Sequence, residues 1–274
     1  GKTAVQAQRQ ALNVTGQNIA NVNTEGYRKR SADLTEVSGS QSELTSITSQ
    51  IGLGVNLSEV RRAYNVFLNS STNSSQSRFE SSQTFVETME RLENALLPGE
   101  GDLSSQISNF FRTLSDVEAS PGDLAPRAAA IEQGNGLANA FNVTAFVLRD
   151  LEAQIAGTID QEVSEVNRLV SSLGSVNGKL RSSNLGASPP NALMDERDRL
   201  IAEISKKVRI SVNYGPRHDV NVRLGEHQTG PLLLDGERRQ VIQPIYGEKN
   251  GVSFKLGSSK AVSYTHLTLP TMDS

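Results

Sequence analysis

The chain has 274 residues, of which 36% are hydrophobic and 5% aromatic, with no tryptophan. That is one large domain or two modest ones by length, but too little apolar mass for a compact core of ordinary size; elongated helices burying one stripe each fit better. Twenty-seven basic and 30 acidic residues give a net charge of −3, which argues against nucleic-acid binding, and the lack of cysteine excludes disulfides and thiolate metal sites. No run of about 18 apolar residues is present to span a membrane. The sequence opens at Gly1 without a Met, so it reads as a piece of a longer protein.

Val5, Leu12 and Ile19 recur every seven residues beside the small Ala4, Ala7 and Ala11, which predicts a first helix with a narrow seam suited to another helix. In the run NIANVNTEGY, Asn18, Asn21 and Asn23 compete for backbone hydrogen bonds, and Gly26 frees the chain to turn. The helix is therefore expected to stop there and pass, at Tyr27, into an arm that starts with Arg28-Lys29-Arg30. The arm is rich in Ser, Thr and Gln: Ser38 to Gln50 reads as an irregular loop, and the alternating IGLGVNLSEV predicts a short strand or hairpin over Ile51–Val60.

Helix resumes near Arg62, its apolar face carried by Tyr64, Phe67, Leu68, Phe79, Phe85, Val86, Met89, Leu92 and Leu96. The polar run SSTNSSQS interrupts that apolar face, and Leu97-Pro98-Gly99 is expected to end the helix. A second helix covers Leu103 to about Glu118, and SPGD at Ser120–Asp123 is a turn. Apolar gaps of three or four from Leu148 to Leu180 predict one helix over about Ala128–Ser183, a rod of roughly 80 Å that must pack lengthwise against others. NLGASPPN breaks it, and a shorter helix follows from Ala192 to about Val208 with the charge-dense MDERDRL. After Arg209 the runs ISVNY, VNVRL, PLLLD, RQVIQPIY and VSFKL are β-like. The expected fold is mainly α, a long-helix bundle followed by the start of a β-rich domain, divided as residues 1–27, 28–60, 61–208 and 209–260. AVSYTHLTLPT reads as a translated sequencing adapter, so residues 261–274 are set aside as not native.

Little in the sequence carries catalytic chemistry. His218 and His227 sit in polar turns without a ligand set, and His266 lies in the tail set aside. Asp195, Glu196 and Asp198 with Arg197 and Arg199 could suggest acid–base work, but Asp195 is expected to face Arg199 one turn on, an ordinary surface pair. GLGVN at Gly52–Asn56 lacks the third glycine of a dinucleotide fingerprint, and no zinc spacing, phosphate loop or nucleophile elbow is present. No catalytic, cofactor-binding or metal residue is assigned.

NIANVNTEGY, with Asn18, Ile19, Ala20, Asn21, Asn23, Thr24, Gly26 and Tyr27 at the signature positions, resembles the N-terminal motif of the axial proteins of the bacterial flagellum. Three further stretches narrow the resemblance to the hook-associated protein 1 family: IGLGVNLSEVRRAYNVFLNS, the segment Asn109–Asn142, and SPPNALMDERDRLIAEISKKVRISV. The resemblance implies a structural, non-enzymatic subunit at the hook–filament junction, exported unfolded by the flagellar type III apparatus to an extracellular position. It also implies partners: copies of itself in a ring, the hook protein, the next hook-associated protein or the filament, and an export chaperone at the C-terminal end. Nucleic acid, membrane, cofactor and small-molecule substrate are not expected.

By the same resemblance residues 1–27 are an axial coiled-coil helix, whose Val5, Leu12 and Ile19 bury into an inner helical layer, while Asn18 to Tyr27 starts the arm towards neighbouring subunits. With no partner helix in the chain, residues 4–22 are expected to be disordered in the isolated molecule. The alternatives are another axial protein such as a hook or distal-rod subunit, a cell-wall hydrolase carried on a rod-type subunit, and a generic coiled-coil binding module. The first lacks long helices over 62–183, the second needs an acidic or metal constellation, and the third leaves the Asn18–Tyr27 match to chance.

Overall fold

The computed structural model describes residues 1–36, 54–96, 103–183, 190–247 and 251–257. Among the described residues five helices and eight strands follow one another: α1 (Lys2–Ala20), β1 (Arg30–Glu36), β2 (Val55–Arg62), α2 (Val66–Leu96), α3 (Leu103–Ala119), α4 (Leu124–Ser182), α5 (Asn191–Lys207), β3 (Ile210–Tyr214), β4 (Val220–Leu224), β5 (Leu232–Asp235), β6 (Arg238–Arg239), β7 (Ile242–Tyr246) and β8 (Val252–Leu256). The chain is mainly α, with one dominant helix and then strands, as expected. Ser38–Gln50, Leu97-Pro98-Gly99, most of NLGASPPN and residues 261–274 lie outside the described residues.

Helix α4 organises the molecule. Its 59 residues make a rod of roughly 90 Å. Asp123 caps its start by accepting from the Ala125 N–H at 3.1 Å, and Lys179 and Arg181 lie in its last turn, where the helix dipole favours cations. Most of its buried residues lie in the C-terminal half. There Ile159, Val163, Val166, Leu169, Val170, Leu173 and Leu180 join Leu200, Ile201 and Ile204 of α5 and Val220, Val222, Leu233, Leu234, Ile242 and Phe254 of the strands in one core. Each such side chain contributes about 1.5–3 kcal/mol by leaving water. Helix α3 packs along the N-terminal half, yet Ile131, Phe141 and Phe146 there stay exposed.

Strands β3-β4-β5-β6 form an antiparallel sheet and β7-β8 a separate antiparallel pair. In β4 the inward residues Val220, Val222 and Leu224 alternate with half-buried Asn221 and Arg223, the period of a one-sided strand. Two asparagines of α4 tie this β layer down. Asn167 donates to the Ile242 carbonyl and accepts from the Ile242 N–H, both at 2.9 Å. Fully buried Asn177 donates to the carbonyls of Val220 and Gly236 at 2.7 Å and accepts from the Val220 N–H at 3.1 Å. Each carboxamide thus stands in for a strand partner.

Helix α2 runs through SSTNSSQS, the run expected to interrupt its apolar face. Its polar side chains work within the helix: Thr72, Thr84 and Thr88 donate to carbonyls four residues back, and Gln76 and Gln83 donate to Glu80 and Glu87. Serine at 77 is also buried against the body, which the polar texture disguises. One expectation needs correction: the arm contains a strand where none was expected, β1 pairing antiparallel with β2 from Arg30↔Arg62 to Glu36↔Val55, with a bulge at Asp33/Leu34. Its residues RSADLTE are mostly polar, with too few apolar positions to show a strand's alternation, and none of them is fully buried.

Candidate assembly site

Helix α1 has two apolar faces. Ala7 and Val14 are buried, and α1 packs on the β1–β2 hairpin. The seam residues Val5, Leu12 and Ile19 point elsewhere, 54%, 63% and 70% exposed. No partner helix covers the seam among the described residues, as expected. The hairpin covers the opposite face of α1 instead, a contact hidden in the sequence because β1 carries no apolar signature.

The motif residues then take distinct places. Asn18 donates from Nδ2 to the Arg30 carbonyl at 2.8 Å, and its Oδ1 accepts from the Arg30 N–H and from the Tyr27 hydroxyl, both at 2.9 Å. Asn21 follows the last helical residue, its side chain donating to the Gln17 carbonyl at 2.9 Å; the Thr24 hydroxyl donates to Asn21 Oδ1 at 3.2 Å. Ile19, Ala20 and Asn23 are exposed. Gly26 adopts φ +82°, open to glycine, and an added Cβ would sit 3.1 Å from Arg199 Cβ. Asn18, Asn21, Thr24, Gly26 and Tyr27 are thus brought together as a turn, while Val5, Leu12 and Ile19 remain a separate outward stripe.

That turn aims Arg30 at a buried charge chain. Arg30 Nη2 lies 3.0 Å from Asp195 Oδ2, and Arg62 Nε lies 3.1 Å from Asp195 Oδ1, an ion-pair distance without hydrogen-bond alignment. Arg62 Nη2 donates to Asp198 Oδ2. Asp198 Oδ1 accepts from Arg197 Nε at 2.8 Å and Nη2 at 2.6 Å, and Arg197 Nη1 donates to the His218 carbonyl. The side chains of Arg62, Arg197 and Asp198 are only 4–5% exposed. Three guanidiniums face two carboxylates, and each guanidinium also lies over a phenol ring: Arg30 over Tyr27, Arg62 over Tyr64 and Arg197 over Tyr214, 4.9–5.0 Å from the centroids. Ring quadrupoles spread the surplus positive charge.

The Tyr64 and Tyr214 hydroxyls share a 2.7 Å hydrogen bond. Burial first, then that bond and the nearby Asp198 carboxylate, push the Tyr64 phenol well above its ordinary value; burial raises Tyr214 likewise. The expected Asp195–Arg199 surface pair does not form. Arg199 pairs instead with Glu196 at 2.6 Å and with Glu203, and its guanidinium holds the Glu196 carboxyl below the usual range. Asp195 turns inward because its ligands come from 165 and 133 residues away in sequence (195 − 30 and 195 − 62). One sequence signal pointed this way: Asp195 and Asp198 lie three apart on the same buried stripe of α5 as Met194 and Ile201.

Among the described residues no group of three or more His, Asp or Glu side chains could hold a metal ion. None of the described helices is long and apolar enough to cross a membrane.

With this geometry in hand, comparison with known proteins is specific. The profile described as "Flagellar hook-associated protein FlgK helical domain" matches residues 89–268. The chain belongs to the FlgK family of flagellar hook-associated proteins. A second profile, "Flagella basal body rod protein", matches residues 1–28. Flagellar hook-associated protein 1 of Salmonella typhimurium is 30% identical over 88% of this chain and 42% of its own length. The Escherichia coli and Bacillus subtilis proteins of the same name are 29% and 26% identical over 82% and 92% of this chain. The chain thus spans 41–50% of these FlgK relatives' length. The flagellar hook junction protein FlgK from Burkholderia pseudomallei has the same fold over 73% of this chain and 36% of its own, with TM-score 0.60 at 19% identity.

Proposed function

We propose that this FlgK-family chain is part of a structural subunit of the flagellar hook–filament junction that self-assembles through the exposed seam of α1. The observation that carries the reading is the seven-residue stripe Val5, Leu12 and Ile19, left in water on a helix whose other face is already buried. A stripe of that period is built to meet a second helix. Subunits join in a ring between the hook protein and the next hook-associated protein or filament, outside the cell, after export unfolded through the flagellar type III apparatus with a chaperone at the C-terminal end. Residues 1–27, 28–60, 61–208 and 209–260 serve as axial helix, arm, helical body and outer β-rich domain. The role is mechanical and not enzymatic. The rod-protein profile over residues 1–28 favours a second reading, another axial subunit; the helical-domain match over 89–268 weighs against it.

The test is genetic, in a motile bacterium whose own full-length FlgK protein is replaced by one carrying this sequence, with Leu12→Asp and Ile19→Asp. The substituted protein should still be exported, while filament subunits leak into the medium and swimming stops. Normal filaments with both substitutions would remove the seam from assembly.

A further inference from the structure

The unit formed by α1, β1 and β2 meets the helical body in an unusual way. Its elements pack backbone-close on one another, and long polar side chains make most of the crossing. Those crossings are Arg30 and Arg62 onto Asp195 and Asp198, Asn191 Nδ2 onto the Val60 carbonyl at 3.0 Å, and Arg28 Nη2 onto Asn69 Oδ1 at 2.6 Å. Apolar packing is thin at this boundary. A cleft of about 410 Å³ opens between Val14 and Val60 on one side and Pro190–Leu193 on the other. A second, of about 260 Å³, opens between β2 and the Met194–Tyr214 side of the body. The covalent link is short: only Ala63, Tyr64 and Asn65 separate β2 from α2. Tyr64, in the middle of that link, is held by Tyr214.

We infer that the Arg30–Asp195–Arg62–Asp198–Arg197 chain is an ionic clasp, and that α1 with its hairpin is a separate rigid body which pivots about Ala63–Asn65 when the clasp opens. Mostly buried charges hold a fixed angle because each carboxylate is shared between two guanidiniums on different elements, so no single pair can slip alone. A cavity-flanked polar joint can open without tearing a hydrophobic core, whereas an apolar joint of this size cannot. The helical body keeps its own core of α4, α5 and strands, none of which comes from α1, β1 or β2. This joint does not depend on the assembly role proposed above; it is a property of the isolated chain.

The experiment is hydrogen exchange on the whole chain carrying Asp195→Asn and Asp198→Asn. The expected result is that amides of Lys2–Ala20, Arg30–Glu36 and Val55–Arg62 exchange at least tenfold faster, while those of Ile159–Ser182 and Val220–Leu224 keep the parent rates. Because the chain has no cysteine, spin labels on Gln10→Cys and Lys206→Cys report the joint directly, and labels on Lys206→Cys and Asp235→Cys serve as the control. The first distance distribution should broaden in the clasp variant and the second should not. Should the double substitution prevent folding, Arg30→Gln, which leaves Arg62 and Asp198 paired, is expected to give the same loosening in smaller measure. Faster exchange throughout α4, α5 and the strands would make the charges part of one common core and overturn the joint. Unchanged exchange in α1 and the hairpin would overturn it equally, by showing that the clasp holds nothing.

Discussion

The side chain of Asn18 closes on the backbone of Arg30 from both sides, donating to its carbonyl at 2.8 Å and accepting from its N–H at 2.9 Å. This one residue both ends α1's inward face and fixes where the Arg30 guanidinium starts its reach to Asp195. Asn18→Ala leaves two strand groups and the Tyr27 hydroxyl short of partners and should cost about 1–3 kcal/mol in urea denaturation. Asn18→Asp keeps the acceptor but sets an oxygen against the Arg30 carbonyl, and is expected to lose at least as much. An aspartate variant as stable as the parent would show that the Nδ2 bond contributes nothing.

Asn177 performs the same task in the core, with three bonds in place of the two that Asn18 makes to Arg30. Its truncation to alanine strands the Val220 N–H and two carbonyls away from water, so a loss on the order of 3 kcal/mol is expected. Asn167→Ala, with two bonds and partial exposure, should lose less. Thermal unfolding of both variants gives the order; a reversed order would mean that burial does not set the cost here.

Gly54 sits at φ +117°, where a Cβ would come 2.2 Å from Thr3 Oγ1 at the start of α1. Gly54→Ala combines backbone strain with that collision and should cost roughly 1–3 kcal/mol for the backbone alone. Adding Thr3→Ala removes the collision but not the strain, so the double variant should recover only part of the loss. Complete recovery would place the whole effect in the contact with Thr3.

The long helix, the turn at NIANVNTEGY and the β-like runs after Arg209 were legible because their signals are local: three-or-four spacing, asparagines with a glycine, and short apolar runs between breakers. What was not legible depends on distant partners. Asp195 and Asp198 look like solvated charges until Arg30 and Arg62, from the opposite end of the chain, are set against them. Strand β1 shows no clear alternation because it carries only Ala32 and Leu34 as apolar residues, and none of its positions is fully buried. SSTNSSQS reads as a gap in the apolar face of α2, and nothing local in that run marks Ser77 as buried. On α1, the stripe Val5, Leu12 and Ile19 follows from spacing alone, whereas the burial of Ala7 and Val14 on the other face does not.

Asp198 links the clasp to the tyrosine pair, and this gives the chain an alkaline limit. Tyr64 and Tyr214 ionise less readily in the folded state than in the unfolded chain, mainly because burial disfavours the phenolate. As pH rises past the ordinary phenol value of about 10, the unfolded chain releases protons that the folded state retains. Stability from these groups is therefore complete below about pH 10 and is lost progressively above it. Tyr246, pushed up to about 12 by partial burial and the Asp160 carboxylate, acts in the same direction more weakly because it is exposed. The measurement is Tm against pH for the parent and for Tyr64→Phe with Tyr214→Phe. At neutral pH the double variant should be less stable, having lost the hydroxyl–hydroxyl bond. From about pH 9 to 11 its Tm should fall less steeply than the parent's, since two of the titrating groups are gone. Parallel curves would mean that both phenols titrate alike in the folded and unfolded states, and would take the tyrosine pair out of the alkaline limit.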